Sequence, residues 1–338
     1  MKKQGILEIQ NVYTANAFES GGRTFVGAGS ETEGVVRLYP LDGGNTEALD
    51  QCPGGMMSLI PVPGRPETLV SIMGLFPPFI GAEAGIFLHH KSGDHWHTRK
   101  ILDLPFAHRC EFLPTGEYPM LVAATVSRHK ENPADWSQAG EILVVHMEGE
   151  DPDQWHTKVI YSELTRNHGM GRFMIDGEER LCVSGAAGIF ALGPDPGGSW
   201  AMHRLLEREV SEFTFIDLDG DGRSELVTIE PFHGHRLNIY KRRDQEWDLI
   251  SGQELSFGHG LSSGMFNGTP VIVAGNRSES LALEIYTLNG YGQDAVKKVY
   301  MEEGAGPTQT QVFSHKGRDY ILSANQRKHE VALYSGSL

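Results

Sequence analysis

Fifteen histidines stand in the 338 residues of this chain, and three recur in short glycine- or alanine-flanked contexts: His108 in AHRCEF, His168 in NHGMGR and His259 in GHGLSS. A His-Gly pair appears at 168, 233 and 259, a spelling that lets backbone pack closely around a site. Neutral imidazole is the commonest ligand for Zn²⁺ and suits Mn²⁺-like and Fe²⁺ ions, so three imidazoles converging with an open position would make a catalytic metal centre. At any single position an imidazole also serves simply to hydrogen-bond a neighbouring strand or a buried water. What decides between these is whether the chain's elements bring the histidines to one place.

Those elements are short strands in a repeat. Trp96, Trp155, Trp200 and Trp247 each head a similar segment (HWHTRKILD, QWHTKVIYS, SWAMHRLLE, EWDLISGQE) at spacings of 59, 45 and 47 residues. A period of about 40–50 residues with short strands reads as propeller blades. In one unit EFTFIDLDG, SELVTIEP, RLNIYKRR and EWDLISG alternate or run apolar between turn residues, a four-stranded meander. Another reads HRCEFLP, YPMLVAATV, EILVVHMEG and QWHTKVIYS, with the insertion SRHKENPADWSQAG between its second and third strands. Units starting near residues 15, 56, 108, 168, 211, 259 and 308 predict an all-β, seven-bladed β-propeller occupying residues 1–338 as one domain. The first hundred residues are the least regular and also admit a six- or eight-bladed count. The last unit has only three strands, and GILEIQNVY near the start supplies the fourth, pairing with the last blade to close the sheet and cover an exposed edge.

The segment Phe215–Leu226, FIDLDGDGRSEL, resembles the FG-GAP or VCBS repeat, a blade motif of propellers found in integrin heads and many sugar-active proteins. The resemblance implies a Ca²⁺ site with Asp217, Asp219, Asp221 and Glu225 as ligands, and alternate carboxylates with permissive glycines suit one hard cation. The same Asp-Gly spelling also makes an ordinary hairpin turn with no metal. With its His-bearing loops, the chain is also similar to the propeller part of the aldos-2-ulose dehydratase group and to propeller-fold sugar lyases, which implies elimination chemistry on a saccharide. A fold shared this widely does not select the reaction.

In a four-stranded antiparallel blade, the start of the inner strand and the loop joining the second and third strands emerge on the same face. That rule places His108, His168 and His259 at inner-strand starts, and His129, His233, His235 and His329 in second-to-third-strand loops. Arg109, Arg277, Asn325, Gln326, Glu212 and Gln309 fall at corresponding positions. His95, His97, His156 and His203 belong to outer strands, His146 to a third strand and His315 to a turn on the opposite face; these read as structural or solvent-exposed. His89 and His90 end a third strand and are assigned no role.

The chemistry that fits is β-elimination, in which a cation polarises a carbonyl or neutralises a carboxylate and a positioned base takes the acidified proton. In this reading His108, His168 and His259 bind a divalent transition metal (Zn, Mn or Fe). His233 or His235 is the general base, and Arg109 with His329 stabilises the developing enolate oxygen. Asn325, Gln326, Arg277 and Trp136 hold sugar hydroxyls and ring faces. The alternative is a non-catalytic propeller that binds a carbohydrate or protein partner through the same face.

Other classes find little support. A formal net charge of −15 argues against a phosphate-backbone surface, and no GxSxG elbow or GxGxxG fingerprint is present. No run of about 18 apolar residues suggests a membrane span, and MKKQGILE lacks the apolar core of a signal peptide. Three scattered cysteines without CxxC spacing indicate neither a zinc ribbon nor a disulfide framework. The expectation is a cytoplasmic protein with a small saccharide substrate; the oligomeric state is not encoded in any pattern found.

Overall fold

The computed structural model describes residues 1–113, 118–175, 177–195, 199–244, 246–290, 292 and 295–338. Among them, β1 is Lys2–Glu8, and seven four-stranded antiparallel sheets are formed. The first sheet holds β2 (Val12–Ser20), β3 (Arg23–Ser30), β4 (Val36–Pro40) and β5 (Glu47–Ala48). The second holds β6 (Ser58–Pro61), β7 (Thr68–Met73), β8 (Gly85–Ser92) and β9 (His95–Asp103). The third holds β10 (Ala107–Leu113), β11 (Met120–Thr125), β12 (Gly140–His146) and β13 (His156–Leu164). These three make up a compact unit, Ile9–His168.

The other unit is Met1–Glu8 with Gly169–Leu338. It contains β14 (Met170–Ile175), β15 (Glu178–Gly185), β16 (Gly188–Pro194) and β17 (Trp200–Leu206), then β18 (Glu212–Ile216), β19 (Glu225–Glu230), β20 (Arg236–Arg243) and β21 (Glu246–Glu254). Next come β22 (Gly258–Phe266), β23 (Thr269–Asn276), β24 (Leu283–Leu288) and β25 (Val296–Glu302), and last β26 (Pro307–His315), β27 (Arg318–Asn325) and β28 (Glu330–Ser335). β1 pairs antiparallel with β28, from Lys2↔Ser335 to Glu8↔Glu330, and so supplies the fourth strand of the final sheet. The seven-bladed propeller predicted from the repeat, with its early strand closing the last blade, is the fold observed. No described helix is long and apolar enough to cross a membrane.

Within each unit, successive blades pack face to face through apolar clusters, which is why their second and third strands read as continuous hydrophobic runs rather than alternating ones. Met56, Leu59, Leu69 and Trp96 belong to the core shared by the first two sheets, and Ile72, Ile86, Phe112 and Leu121 to the next. In the other unit Phe213, Phe215 and Tyr240 pack with Cys182 and Ile189, while Ile239 packs with Ile272 and Tyr286. The repeated tryptophans sit where the fourth strands begin: Trp96, Trp200 and Trp247 inside β9, β17 and β21, and Trp155 one residue before β13.

Three consecutive blades each bury a tyrosine hydroxyl in a polar network with an asparagine nearby. The Tyr240 hydroxyl donates to Glu230 at 2.8 Å, beside Asn238 donating to Glu230 at 2.9 Å. Tyr286 donates to Glu284 at 2.5 Å, and Asn276 to Glu284 at 3.0 Å. In the last blade the Asn325 amide donates to the Tyr334 hydroxyl at 3.0 Å. Burial pushes all three phenols up out of their ordinary range, so they remain neutral donors or acceptors. Polar groups this deep are tolerated because their hydrogen bonds are made.

Candidate functional site

The histidine-bearing ends of the inner strands are irregular, and the irregularity aims the side chains. Pairing register slips between Ala107 and Arg109, between Gly258 and Leu261, and between Pro307 and Gln309. His108, His259 and Thr308 therefore lie in β-bulges, which insert a residue, bend the strand and re-aim its side chain. Each is nearly or fully buried.

In the unit Met1–Glu8 with Gly169–Leu338, His259 Nδ1 is 2.8 Å from the backbone carbonyl oxygen of Thr308. A carbonyl can only accept, so Nδ1 carries the proton and Nε2 is the lone-pair nitrogen. The same arrangement orients metal-ligating histidines, where the second ring nitrogen is held by a backbone carbonyl or carboxylate. His233 stacks on His259 with ring centroids 5.0 Å apart and planes 27° from parallel. It stands in the turn between β19 and β20 at φ 49°, left-handed backbone that a non-glycine residue adopts only when its surroundings hold it there. Phe232 at 4.1 Å and Phe257 at 4.8 Å flank its ring. His235, two residues on, is exposed.

Arg277 follows β23, and its guanidinium donates to the Gln326 side chain in the short helical turn after β27. His329 ends that turn in left-handed backbone at φ 54°. Asn325 is fully buried; it donates to Glu330 at 3.1 Å and to Tyr334, and accepts from Ser323 at 2.7 Å, all within its own blade. Its side chain is a structural member of that blade rather than an open hydrogen-bonding group.

In the unit Ile9–His168, the rings of His108 and His168 lie 4.6 Å apart. Arg109 bridges backbone: Nε donates to the His168 carbonyl at 2.8 Å and Nη1 to that of Met57 at 2.7 Å. The expected insertion between the second and third strands is the loop from Val126 to Ala139. In it Trp136 is half-buried with one face covered, since Lys130 Nζ sits 3.2 Å from its ring centroid, Arg166 lies 5.2 Å away and the edge of Phe79 packs at 5.5 Å. Burial lowers the Lys130 pKa, with Asp135 opposing and Arg166 adding to the shift. His129, in the same loop, is exposed. His89 lies on β8, buried, with Nε2 2.8 Å from Ser71 Oγ and Nδ1 2.9 Å from Thr98 Oγ1. Burial pulls its pKa down to about 3, so this imidazole is neutral structural packing.

The acidic loop between β18 and β19 has a cation already in it. Lys241 Nζ contacts Asp219, and lies 2.8 Å from both Asp221 and Glu225. Asp217 accepts from the backbone of Gly220 at 2.7 Å and Gly222 at 2.8 Å; both glycines have φ near 80°, where a side chain would strain the turn. The carboxylates of Asp217, Asp219 and Glu225 are close enough to coordinate a divalent ion, as are the side chains of His146, Glu148 and His156. The sequence reads His146 and His156 as structural or solvent-exposed, and His156 is exposed; their pairing across adjacent strands is the signal that marks them.

No family model matches the chain, and no curated protein does. Among solved structures it is similar to the β-propeller domain of Myceliophteria thermophila Cps50 (Swd1), with TM-score 0.58, 12% identity, and coverage of 96% of this chain and 100% of that one. It is also similar to a protein of Bacteroides uniformis ATCC 8492 provisionally named a 6-phosphogluconolactonase, with TM-score 0.56, 13% identity, and coverage of 98% and 92%. At these identities the likeness establishes the propeller fold and nothing about activity.

Proposed function

We propose that this chain is a metal-assisted lyase or dehydratase that acts by β-elimination on a small sugar or uronide, with His259 and His233 at its centre. The observation that carries the reading is the Thr308 carbonyl fixing the proton on His259 Nδ1, with the His233 ring stacked beside it. His259 offers Nε2 as a ligand. A divalent transition ion bound there supplies a Lewis acid that polarises a carbonyl or neutralises a carboxylate. His233, held between Phe232 and Phe257, takes the proton from the carbon next to that group; the C–H electron pair becomes the new C=C bond as the β C–O bond breaks, and the departing hydroxide or alkoxide leaves as water or alcohol on taking up a proton. Arg277 and Gln326 supply donors and an acceptor for substrate hydroxyl or carboxylate oxygens, and His235 is the alternative base. In the unit Ile9–His168, His108 and His168 are proposed metal ligands and Arg109 a proposed oxyanion donor; in the other unit His329 is the proposed oxyanion donor.

The FG-GAP resemblance is supported by the local turn, but we read its acidic loop as neutralised internally by Lys241, so calcium would have to displace an ammonium group. Three free thiols, two of them buried, fit a cytoplasmic setting. The second reading is a non-catalytic propeller that binds a carbohydrate or protein through the same residues, since the fold alone does not select between the two.

The deciding experiment measures metal content and turnover together. Purified protein is analysed for transition metals and screened with uronides and keto-sugars for an ultraviolet-absorbing elimination product. The reading expects bound metal, product formation, and a loss of about 10²–10⁴-fold in kcat for His233→Gln. Wild-type protein that carries no transition metal and yields no product would favour the binding propeller.

A further inference from the structure

A second cluster, built from residues that the proposed centre does not use, has the composition of a metal site. His146 is the last residue of β12 and His156 the first of β13, and the antiparallel register sets them directly opposite one another. Their rings stack with centroids 4.5 Å apart and planes only 6° from parallel. Glu148 follows two residues after His146, and one ligand atom from each of the three lies within 4.8 Å of the others. Glu148 and His156 are exposed and His146 is half-buried, so an ion would reach them from solvent without opening the fold.

The connection between the two histidines is held in place. Arg65 donates to the carbonyl of Met147 at 3.2 Å and to that of Gly149, and its guanidinium stacks over the Trp155 ring at 5.3 Å. Trp155 Nε1 in turn donates to the Gly149 carbonyl at 3.4 Å. Within the connection Asp151 caps the helical turn Pro152–Gln154 through the Asp153 amide. The ligand-bearing ends of both strands are thus fixed before any ion arrives, which reduces the ordering cost of binding.

We propose that His146, Glu148 and His156 bind one divalent transition ion of the Zn²⁺, Ni²⁺ or Cu²⁺ class. Two imidazoles and a carboxylate match the donor preferences of these ions, whereas Ca²⁺ and Mg²⁺ require oxygen ligands throughout. The three protein ligands leave the solvent side of the ion for water. An ion there ties β12 to β13 at the end where their pairing begins.

The test uses the full chain titrated with Cu²⁺ and, separately, Zn²⁺ at neutral pH, comparing wild type with His156→Ala and Glu148→Gln. His156 is exposed, so its removal leaves the fold intact, which circular dichroism checks. Wild type is expected to bind one equivalent that His156→Ala lacks, with a Cu²⁺ electron paramagnetic resonance signal showing coupling to two imidazole nitrogens. Glu148→Gln is expected to weaken that equivalent by about tenfold. His259→Ala should retain it, which separates this site from the one proposed above. Identical stoichiometry and affinity in wild type and His156→Ala would overturn the proposal, as would a copper signal without imidazole coupling.

Discussion

The proton on His259 points at the main chain of the neighbouring blade: Nδ1 lies 2.8 Å from the Thr308 carbonyl oxygen. Because the acceptor is backbone, the tautomer is set by the fold and not by the Thr308 side chain. Nitrogen-resolved NMR of the imidazoles should show His259 in the Nδ1–H form, with a slowly exchanging ring proton that disappears in His259→Ala and persists in Thr308→Val. Detection of the Nε2–H form in the metal-free protein would remove His259 as an Nε2 ligand.

Lys241 makes a separate prediction. Its ammonium contacts Asp219, Asp221 and Glu225, and Glu225 is fully buried. Lys241→Met leaves that carboxylate without its countercharge and should cost about 1–3 kcal/mol of stability. Millimolar CaCl₂ should recover much of the loss in the variant while leaving the wild-type melting temperature nearly unchanged. Equal calcium shifts in both proteins would show that Lys241 is no obstacle to the ion.

His89 predicts the pH dependence of stability. Its folded pKa of about 3 lies below the ordinary value of 6.5 because burial disfavours the charged ring. The unfolded chain therefore binds a proton that the folded chain refuses, and stability falls as pH drops from about 6.5 toward 3. The slope from this one group approaches 1.4 kcal/mol per pH unit. Urea unfolding between pH 6 and 4.5 should show a shallower dependence in His89→Gln than in wild type; parallel slopes would mean that His89 is accessible to protons in the folded state.

The repeated tyrosines can be tested individually. Tyr286 donates to Glu284, which is 4% exposed and also engages Asn276 and Lys298. Tyr286→Phe removes the donor while keeping the ring, so the cost should be about 1–3 kcal/mol, from a buried carboxylate that loses one hydrogen bond. Chemical denaturation measures it, and an unchanged midpoint would mean that water or Lys298 takes over the bond.

The tryptophan spacing made four blades legible because Trp96, Trp155, Trp200 and Trp247 all stand where a fourth strand begins, at β9, β13, β17 and β21. The tyrosines recur as periodically, in LNIY, LEIY and VALY, but their network is not legible in sequence, because the partners Glu230 and Glu284 are acidic residues that are buried only through these contacts. The first, sixth and seventh blades have no such tryptophan, and the fourth strand of the first is reduced to Glu47–Ala48.

The histidine positions were legible only as to strand and loop. Which rings meet depends on bulges at His108, His259 and Thr308, and a bulge without an obligatory glycine leaves no mark in sequence. The spelling around Trp136 and Asn325 suggested open binding groups; Lys130 covers one, and Glu330, Ser323 and Tyr334 engage the other. The first outcome depends on loop backbone and the second on contacts between paired strands of one blade, and periodicity encodes neither.

The pairing of β1 with β28 sets an order of events during synthesis. Lys2 and Ser335 are register partners, so β1, made before all seven sheets are complete, must wait for the last blade before its edge is covered. Until then β1 is an unpaired strand in search of a partner, and such edges invite association with other chains. Its lysines, Lys2 and Lys3, put positive charge on that waiting strand, a feature that discourages edge-to-edge pairing while the last blade is still being made.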